Sequence, residues 1–129
     1  MLEIPLEVSF EDDRGRITDL LTDAAIDAIT LVTIKPGAVR GNHYHEQTVQ
    51  WNYLISGVVD VHTASEAGGR VTTRLTAGRL LRVDAGERHA FLGVEDAAMI
   101  VFTRGPRGGK EYETDTFRLD EPLVSAAKQ

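Results

Sequence analysis

The chain has 129 residues, 42% of them hydrophobic and 26% charged, the make-up of one globular domain spanning residues 1–129 with enough core to fold without disulfides. It contains no cysteine, which excludes disulfides, thiol nucleophiles, iron–sulfur clusters and thiolate zinc sites, and makes a reducing cytoplasm the expected compartment. A net charge of −6 argues against a nucleic-acid partner, which needs a basic face, and the longest apolar run, Ala97 to Phe102, is far short of the roughly 20 residues of a membrane-spanning helix.

Residues 1–27 hold eight acids and two arginines, while the remainder is balanced in charge. This acidic opening reads as an aid to solubility and lacks the basic and apolar regions of a signal peptide. One helical turn is expected at Asp23–Ala28, capped by Thr22 or Asp23. Short runs of strand-forming residues follow. Ile29–Ile34 ends at Lys35-Pro36-Gly37, and the segment holding His43 and His45 also reads as a strand. Val49–Ser56 ends at Gly57, Val58–Thr63 precedes Glu66-Ala67-Gly68-Gly69, and Val71–Leu75 runs into Ala77-Gly78. Leu80–Val83 ends at Asp84-Ala85-Gly86, and His89–Gly93 and Ala98–Thr103 complete the series. Strands spaced about 8–12 residues apart, with turn residues between them, indicate an all-β sandwich or barrel. No segment supplies the crossover helices of a parallel sheet. The tail after Pro122 is expected to fray.

Three of the four histidines occupy informative places. His43 and His45 stand at i and i+2 of a strand, so their imidazoles share a face about 7 Å apart along it, a two-nitrogen grip for a first-row divalent ion. Gln50 opens the next strand and can add a carbonyl oxygen; His89 follows the Asp84-Ala85-Gly86 turn. Singly, each residue has an ordinary reading as surface or a satisfied polar group. Their joint spacing carries the argument: five residues separate Gly37 from His43, four separate His45 from Gln50, and six separate Gln50 from Gly57. Downstream, five residues separate Gly78 from Asp84, two separate Gly86 from His89, and three separate His89 from Gly93.

This spacing resembles the two motifs of the cupin superfamily, G-x5-H-x-H-x3–4-E-x6-G and G-x5-P-x-G-x2-H-x3-N, with Gln50 for Glu, Asp84 for Pro and Gly93 for Asn. The resemblance implies a small antiparallel jelly-roll barrel, commonly dimeric, that binds a divalent metal through His43, His45, Gln50 and His89. A neutral Gln ligand leaves the ion its full +2 charge, a stronger Lewis acid and a poorer host for Fe(III); Zn, Mn, Fe and Ni all remain open.

A narrower resemblance lies in Phe10-Glu11-Asp12-Asp13-Arg14-Gly15 and Arg40-Gly41-Asn42-His43-Tyr44-His45. These strings are similar to those of cupins acting on nucleotide-linked sugars: 3,5-epimerases, 3,4-ketoisomerases and a capsule-biosynthesis cupin domain. The resemblance implies that Arg14 and Arg40 contact phosphate, for which a guanidinium fork is suited; the ordinary alternative is a surface salt bridge. Strict alternation turns Arg40 away from His43, so it reaches the cavity only if the strand bulges or starts after Gly41. Asn52 and Leu54 share the Gln50 face, with Asn52 a hydrogen-bond partner for substrate, and Phe91 shares the His89 face as an apolar wall. Trp51, Tyr53 and Ile55 form an outer face to be covered by a second sheet or another subunit, and with the family resemblance this favours a homodimer. Tyr44 faces away from the histidines, His62 faces solvent, and Arg104, Arg107 and Lys110 lie in a loop read as a solvated connection.

The leading expectation is a metal-dependent isomerase or epimerase of a small keto sugar or nucleotide-linked sugar, which stabilises an enediolate by Lewis acidity. A Tyr, Glu or Asp of another strand is expected as the base. A metal-free variant would use His43 and His45 as acid and base. The alternatives are an iron-dependent dioxygenase and a non-catalytic small-ligand-binding cupin.

Overall fold

The computed structural model describes residues 1–106 and 111–126. The strands are β1 (Leu2–Ile4), β2 (Val8–Asp12), β3 (Gly15–Thr18), β4 (Ala28–Ile34), β5 (Val39–Tyr44), β6 (Val49–Ser56) and β7 (Val58–Ala64). They continue with β8 (Arg70–Thr76), β9 (Leu80–Val83), β10 (Arg88–Gly93) and β11 (Ala97–Arg104); one turn of helix, α1 (Glu111–Thr114), precedes β12 (Phe117–Arg118). The strands β2 and β3 pair as a separate hairpin, and the others form two five-stranded antiparallel sheets, β1-β9-β6-β11-β4 and β12-β5-β10-β7-β8. The two sheets face each other as a jelly roll.

Alternation builds the core. On β7, Val59 and Val61 are fully buried while Asp60 and His62 take the other face. Leu54, Leu75 and Leu81 meet them from β6, β8 and β9, with Ile34, Met99 and Val101 closing the cluster. Burying such an aliphatic side chain contributes about 1.5–3 kcal/mol each. No described helix is long and apolar enough to cross a membrane.

Two local expectations fail. The segment from Asp23 to Ala28 is not helical. Asp23 lies in the left-handed region at φ 56°, and Asp27 ties the segment to the end of β11: its amide donates to Thr103 O (2.8 Å) and its carboxylate accepts from Gly105 N (2.7 Å). The start of the tail is also held, as far as Val124; residues 127–129 of it lie outside the described residues. Leu119 N donates to Asn42 O (2.9 Å), the Asn42 side-chain oxygen accepts from Leu123 N (2.8 Å), and its Nδ2 donates to Val124 O (2.9 Å).

Those tail contacts start from an irregularity in β5. His43 pairs with His89, but the next residue of β10, Ala90, pairs with Gly41. Asn42 is therefore extra, a β-bulge, with Gly41 at φ 100° and Asn42 at φ 58°. Only glycine fits at Gly41, because a Cβ there would stand 2.9 Å from His89 O. The bulge reverses the alternation, so Arg40, paired with Phe91, faces the same way as His43.

Candidate metal centre and its cavity

Three imidazoles converge between the sheets. His43 and His89 are direct cross-strand partners with ring centroids 4.6 Å apart. His45, one residue past β5, has its ring 4.8 Å from His43 and 5.3 Å from His89. One ligand atom from each lies within 4.8 Å of the others. His45 and His89 are buried and His43 half-buried.

The two histidine segments are bonded to each other. Residues 84–87 form a turn closed by Glu87 N donating to Asp84 O (3.2 Å), with Gly86 at φ 84°, the backbone that a type II turn requires at its third position. Gly86 N then donates to His45 O (2.6 Å). Backbone carbonyls also orient the rings. His45 Nδ1 lies 2.8 Å from Asp115 O, and His89 Nδ1 lies 3.1 Å from Glu87 O. A carbonyl can only accept, so each Nδ1 carries a proton, and in the neutral ring the lone pair is then on Nε2, the tautomer that a metal-ligating histidine needs.

Burial first, and then the neighbouring His45 and Arg118, push the His43 pKa down to about 4. Burial, followed by the charges of His43 and His45, holds His89 well below its ordinary value. Both rings are neutral near pH 7, the form that coordinates a metal. Zinc–nitrogen bonds of about 2.1 Å at tetrahedral angles set ligand nitrogens about 3.4 Å apart, so the most widely separated rings need to draw together by about an ångström or more. The donor set fits a divalent ion.

His43 and His89 open onto a cavity of about 420 Å³ lined by both sheets, which Gln50, Asn52, Arg40 and Phe91 also border. Gln50 reaches it from β6. Asn52 is tied down, its Nδ2 donating to Leu81 O at 3.1 Å and Gln50 O at 3.4 Å. Arg40 is held by its Nε donating to Thr33 O at 2.9 Å. Phe91 packs edge-on to His89 at 5.9 Å.

Arg14 is not brought to this cavity within the chain. It sits in the turn between β2 and β3, strongly exposed, and grips Asp12 through Nε (2.9 Å) and Nη2 (2.6 Å). The base expected from a Tyr, Glu or Asp is likewise missing from the described cavity lining. The acids near the motifs bond elsewhere: Glu87 holds the Met1 ammonium and Asp84 N, and Asp84 pairs with Arg82. Tyr44 does face away, stacked on Phe117 with Arg88 over its ring. His62 is half-buried, its Nδ1 3.1 Å from Thr72 Oγ1. Arg104 lies over Trp51 (5.4 Å), while Arg107 and Lys110 lie outside the described residues.

Sequence reasoning missed three residues of the C-terminal segment. Thr116 and Arg118 line the cavity. Asp115 is buried, and its carboxylate accepts from Thr48 Oγ1 (2.6 Å), Glu46 N (3.0 Å) and Gln47 N (3.0 Å). Burial raises its pKa, but the Thr48 hydroxyl and the two amides outweigh burial and hold it below the usual carboxylate value. No motif marks these residues; the Tyr44–Phe117 pair is the one aromatic signal that β12 was available to extend β5.

Residues 30–103 match the cupin domain. Oxalate decarboxylase of Bacillus subtilis is 30% identical over 98 residues, covering 74% of this chain but only 24% of that enzyme, so the chain spans about a quarter of its curated relative. Among solved structures, dTDP-4-dehydrorhamnose 3,5-epimerase from Sulfolobus tokodaii superposes with a TM-score of 0.75 at 15% identity, covering 98% of this chain and 88% of its own. The sugar 3,4-ketoisomerase QdtA from Thermoanaerobacterium thermosaccharolyticum, in complex with TDP, gives 0.76 at 16% identity over 92% and 88%. At such identities the likeness is one of fold. The domain match, however, runs from within β4 almost to the end of β11, taking in both histidine motifs and the strands that carry them, and on that ground the chain belongs to the cupin family.

Proposed function

We propose that this cupin holds a divalent metal ion on His43, His45, His89 and Gln50 and acts as an isomerase or epimerase of a small keto sugar or its nucleotide derivative. The observation that carries this reading is the cluster of three imidazoles, two of them fixed through Nδ1 by backbone carbonyls and two of them bordering a cavity of sugar-sized volume. Its support in the comparisons is that a sugar epimerase and a sugar ketoisomerase share the fold over nearly their whole length. Substrate and reaction are carried over from those proteins as a proposal.

A divalent ion there would supply Lewis acidity toward a ketone oxygen and the oxyanion that forms when the neighbouring carbon loses a proton. Gln50 brings no charge, so the ligand set would leave the ion's formal +2 charge unneutralised. Arg40, its Nε fixed on Thr33 O, keeps further N–H donors for an anionic substituent. Phe91 gives an apolar wall against the C–H face of a sugar ring. No Tyr, Asp or Glu stands among the described lining residues, so with His43 and His89 engaged as ligands no described side chain of the lining is assigned as the base; only in a metal-free site would the neutral ring of His43, the more open of the cavity histidines, move the proton.

Metal analysis after gentle purification, paired with turnover of 4-keto nucleotide sugars with and without chelator, tests the proposal. One equivalent of metal and chelator-sensitive turnover are expected. Full activity in chelator would leave His43 and His45 as a metal-free acid–base pair, and oxygen consumption requiring Fe(II) would mark a dioxygenase instead. A second reading, a barrel that binds a small ligand without converting it, is favoured by the same lack of an acidic or phenolic base; metal binding without turnover of any keto sugar would establish it.

A further inference from the structure

The described residues bordering the cavity carry two positive charges, Arg40 and Arg118, and no carboxylate. This is unusual for a chain of net charge −6, and it follows from the acid excess being confined to the first 27 residues. Arg118 belongs to neither histidine motif, and the function proposed above does not use it. Two separate devices bring the guanidinium groups to one place. Arg40 is turned inward by the bulge at Asn42, and Arg118 is the cross-strand partner of His43 in the pairing of β12 with β5. The side chain of Asn42 itself holds the chain beyond β12, through Leu123 and Val124. One irregularity therefore turns one arginine into the cavity and pins the strand that presents the other.

Two exposed guanidinium groups beside a cluster of neutral ligands repel each other and any cation held there, and no side chain of the described lining compensates them. We infer that Arg40 and Arg118 form an anion clamp flanking His43, that the compound taken by this cavity carries its own doubly charged oxyanion group (a diphosphate or a dicarboxylate), and that Arg118 determines this specificity. The inference rests on the reading above for the cavity being the substrate site, but anion binding can be measured without turnover and without metal. Arg118 touches the anionic group and not the reacting carbon, so its loss should weaken binding of charged compounds and leave neutral ones alone.

Calorimetric titration of the full chain, both metal-loaded and chelator-treated, with TDP, pyrophosphate and oxalate, against thymidine and a neutral sugar, tests this. Saturable binding of a dianion, weakened by added salt, and at least a tenfold rise in its Kd in Arg118→Gln (about 1.4 kcal/mol) are expected, with metal content unchanged and Arg118→Lys falling between. Arg40→Gln provides a second reading of the same clamp if Arg118→Gln loses its fold on thermal melting. Tighter binding of TDP and pyrophosphate assigns a diphosphate, tighter binding of oxalate assigns a carboxylate, and both support the clamp. No saturable dianion binding, or unchanged Kd in both glutamine variants, overturns it. Lack of keto-sugar turnover alongside arginine-dependent anion binding would count against the isomerase and leave the clamp standing.

Discussion

His45 is fixed from two distant parts of the chain. Gly86 donates to its carbonyl from the turn before β10, and Asp115 accepts from its ring on the far side. The Gly86 bond is made by the backbone of His45, which alanine keeps. His45→Ala should therefore abolish stoichiometric metal binding while circular dichroism and a cooperative melt show the barrel intact. Retention of a full equivalent of metal by the folded variant would remove His45 from the ligand set. The buried imidazoles also predict a pH dependence of stability. Between pH 6.5, the ordinary histidine value, and about 4, the depressed value of His43, the unfolded chain takes up protons at rings that stay neutral in the fold. Their contribution to stability is thus complete above pH 6.5 and is lost as pH falls toward 4. His89, also depressed, acts in the same direction. Urea midpoints of chelator-treated protein should be level near pH 7.5 and fall from about pH 6.5 to 5.0, above the range in which carboxylates such as Asp115 begin to protonate. A flat profile across that range would mean that the rings are not held neutral.

At the scale of elements, most strands between Ile29 and Thr103 are legible because each is a short β-forming run closed by glycine or proline, and β6 and β9 have the bounds read from sequence. The reading fails where pairing, not local pattern, decides. The strands β1, β2 and β3 mix charged with apolar residues, and four of the apolar side chains, Leu2, Val8, Phe10 and Ile17, stay exposed, so no buried stripe announces them. Two-residue β12 exists only because β5 offers it an edge some 70 residues earlier, and Asp115 and Arg118 were unreadable for the same reason. The bulge lies between these cases. Strict alternation sets Arg40 against His43 and makes a bulge the condition for its entry, but only the register shift at His89 and Ala90 shows that the condition is met. This bulge gives a sharp test. Gly41→Ala would require a side chain at φ 100° and set its Cβ against the His89 carbonyl and Ala90 Cα, both backbone atoms that cannot swing aside. A loss of about 2 kcal/mol or more is expected, with weakened metal binding as β5 and β10 part. Unfolding midpoints and metal titration measure the two effects. A variant of wild-type stability would mean that the β5–β10 register is looser than the pairing indicates.

Across the whole molecule, the outward side of the sheet β1-β9-β6-β11-β4 is unlike a solvated face. Ile29 and Leu31 on the edge strand β4 are 68% and 66% exposed. Their cross-strand partners on β11, Phe102 and Ile100, pair in turn with Trp51 and Tyr53 of β6, so each row of the ladder is apolar or aromatic across three strands, with Trp51 itself covered within the chain and Ile55 exposed further along. Scattered single apolar residues are ordinary on a surface, whereas a continuous patch of this kind marks an interface. An unpaired edge strand bearing apolar groups also invites association. A second copy of this chain is the proposed cover, since a two-fold axis lets one face bury itself against its own image. The arrangement is compatible with the site, because the cavity lies on the inner side of the same sheet and its arginines come from the opposite one. Sedimentation equilibrium should give twice the mass of the chain. Leu31→Lys, which sets a charge in the middle of the patch without touching the core, should shift the protein to a single-chain mass with its metal content and dianion affinity retained. If the unaltered protein sediments as a single chain even at high concentration, this face is not where copies of the chain meet. If Leu31→Lys also loses dianion binding, the cavity depends on the partner, and the exposed hairpin of β2 and β3 that carries Arg14 becomes the first place to look for a contribution from across the axis.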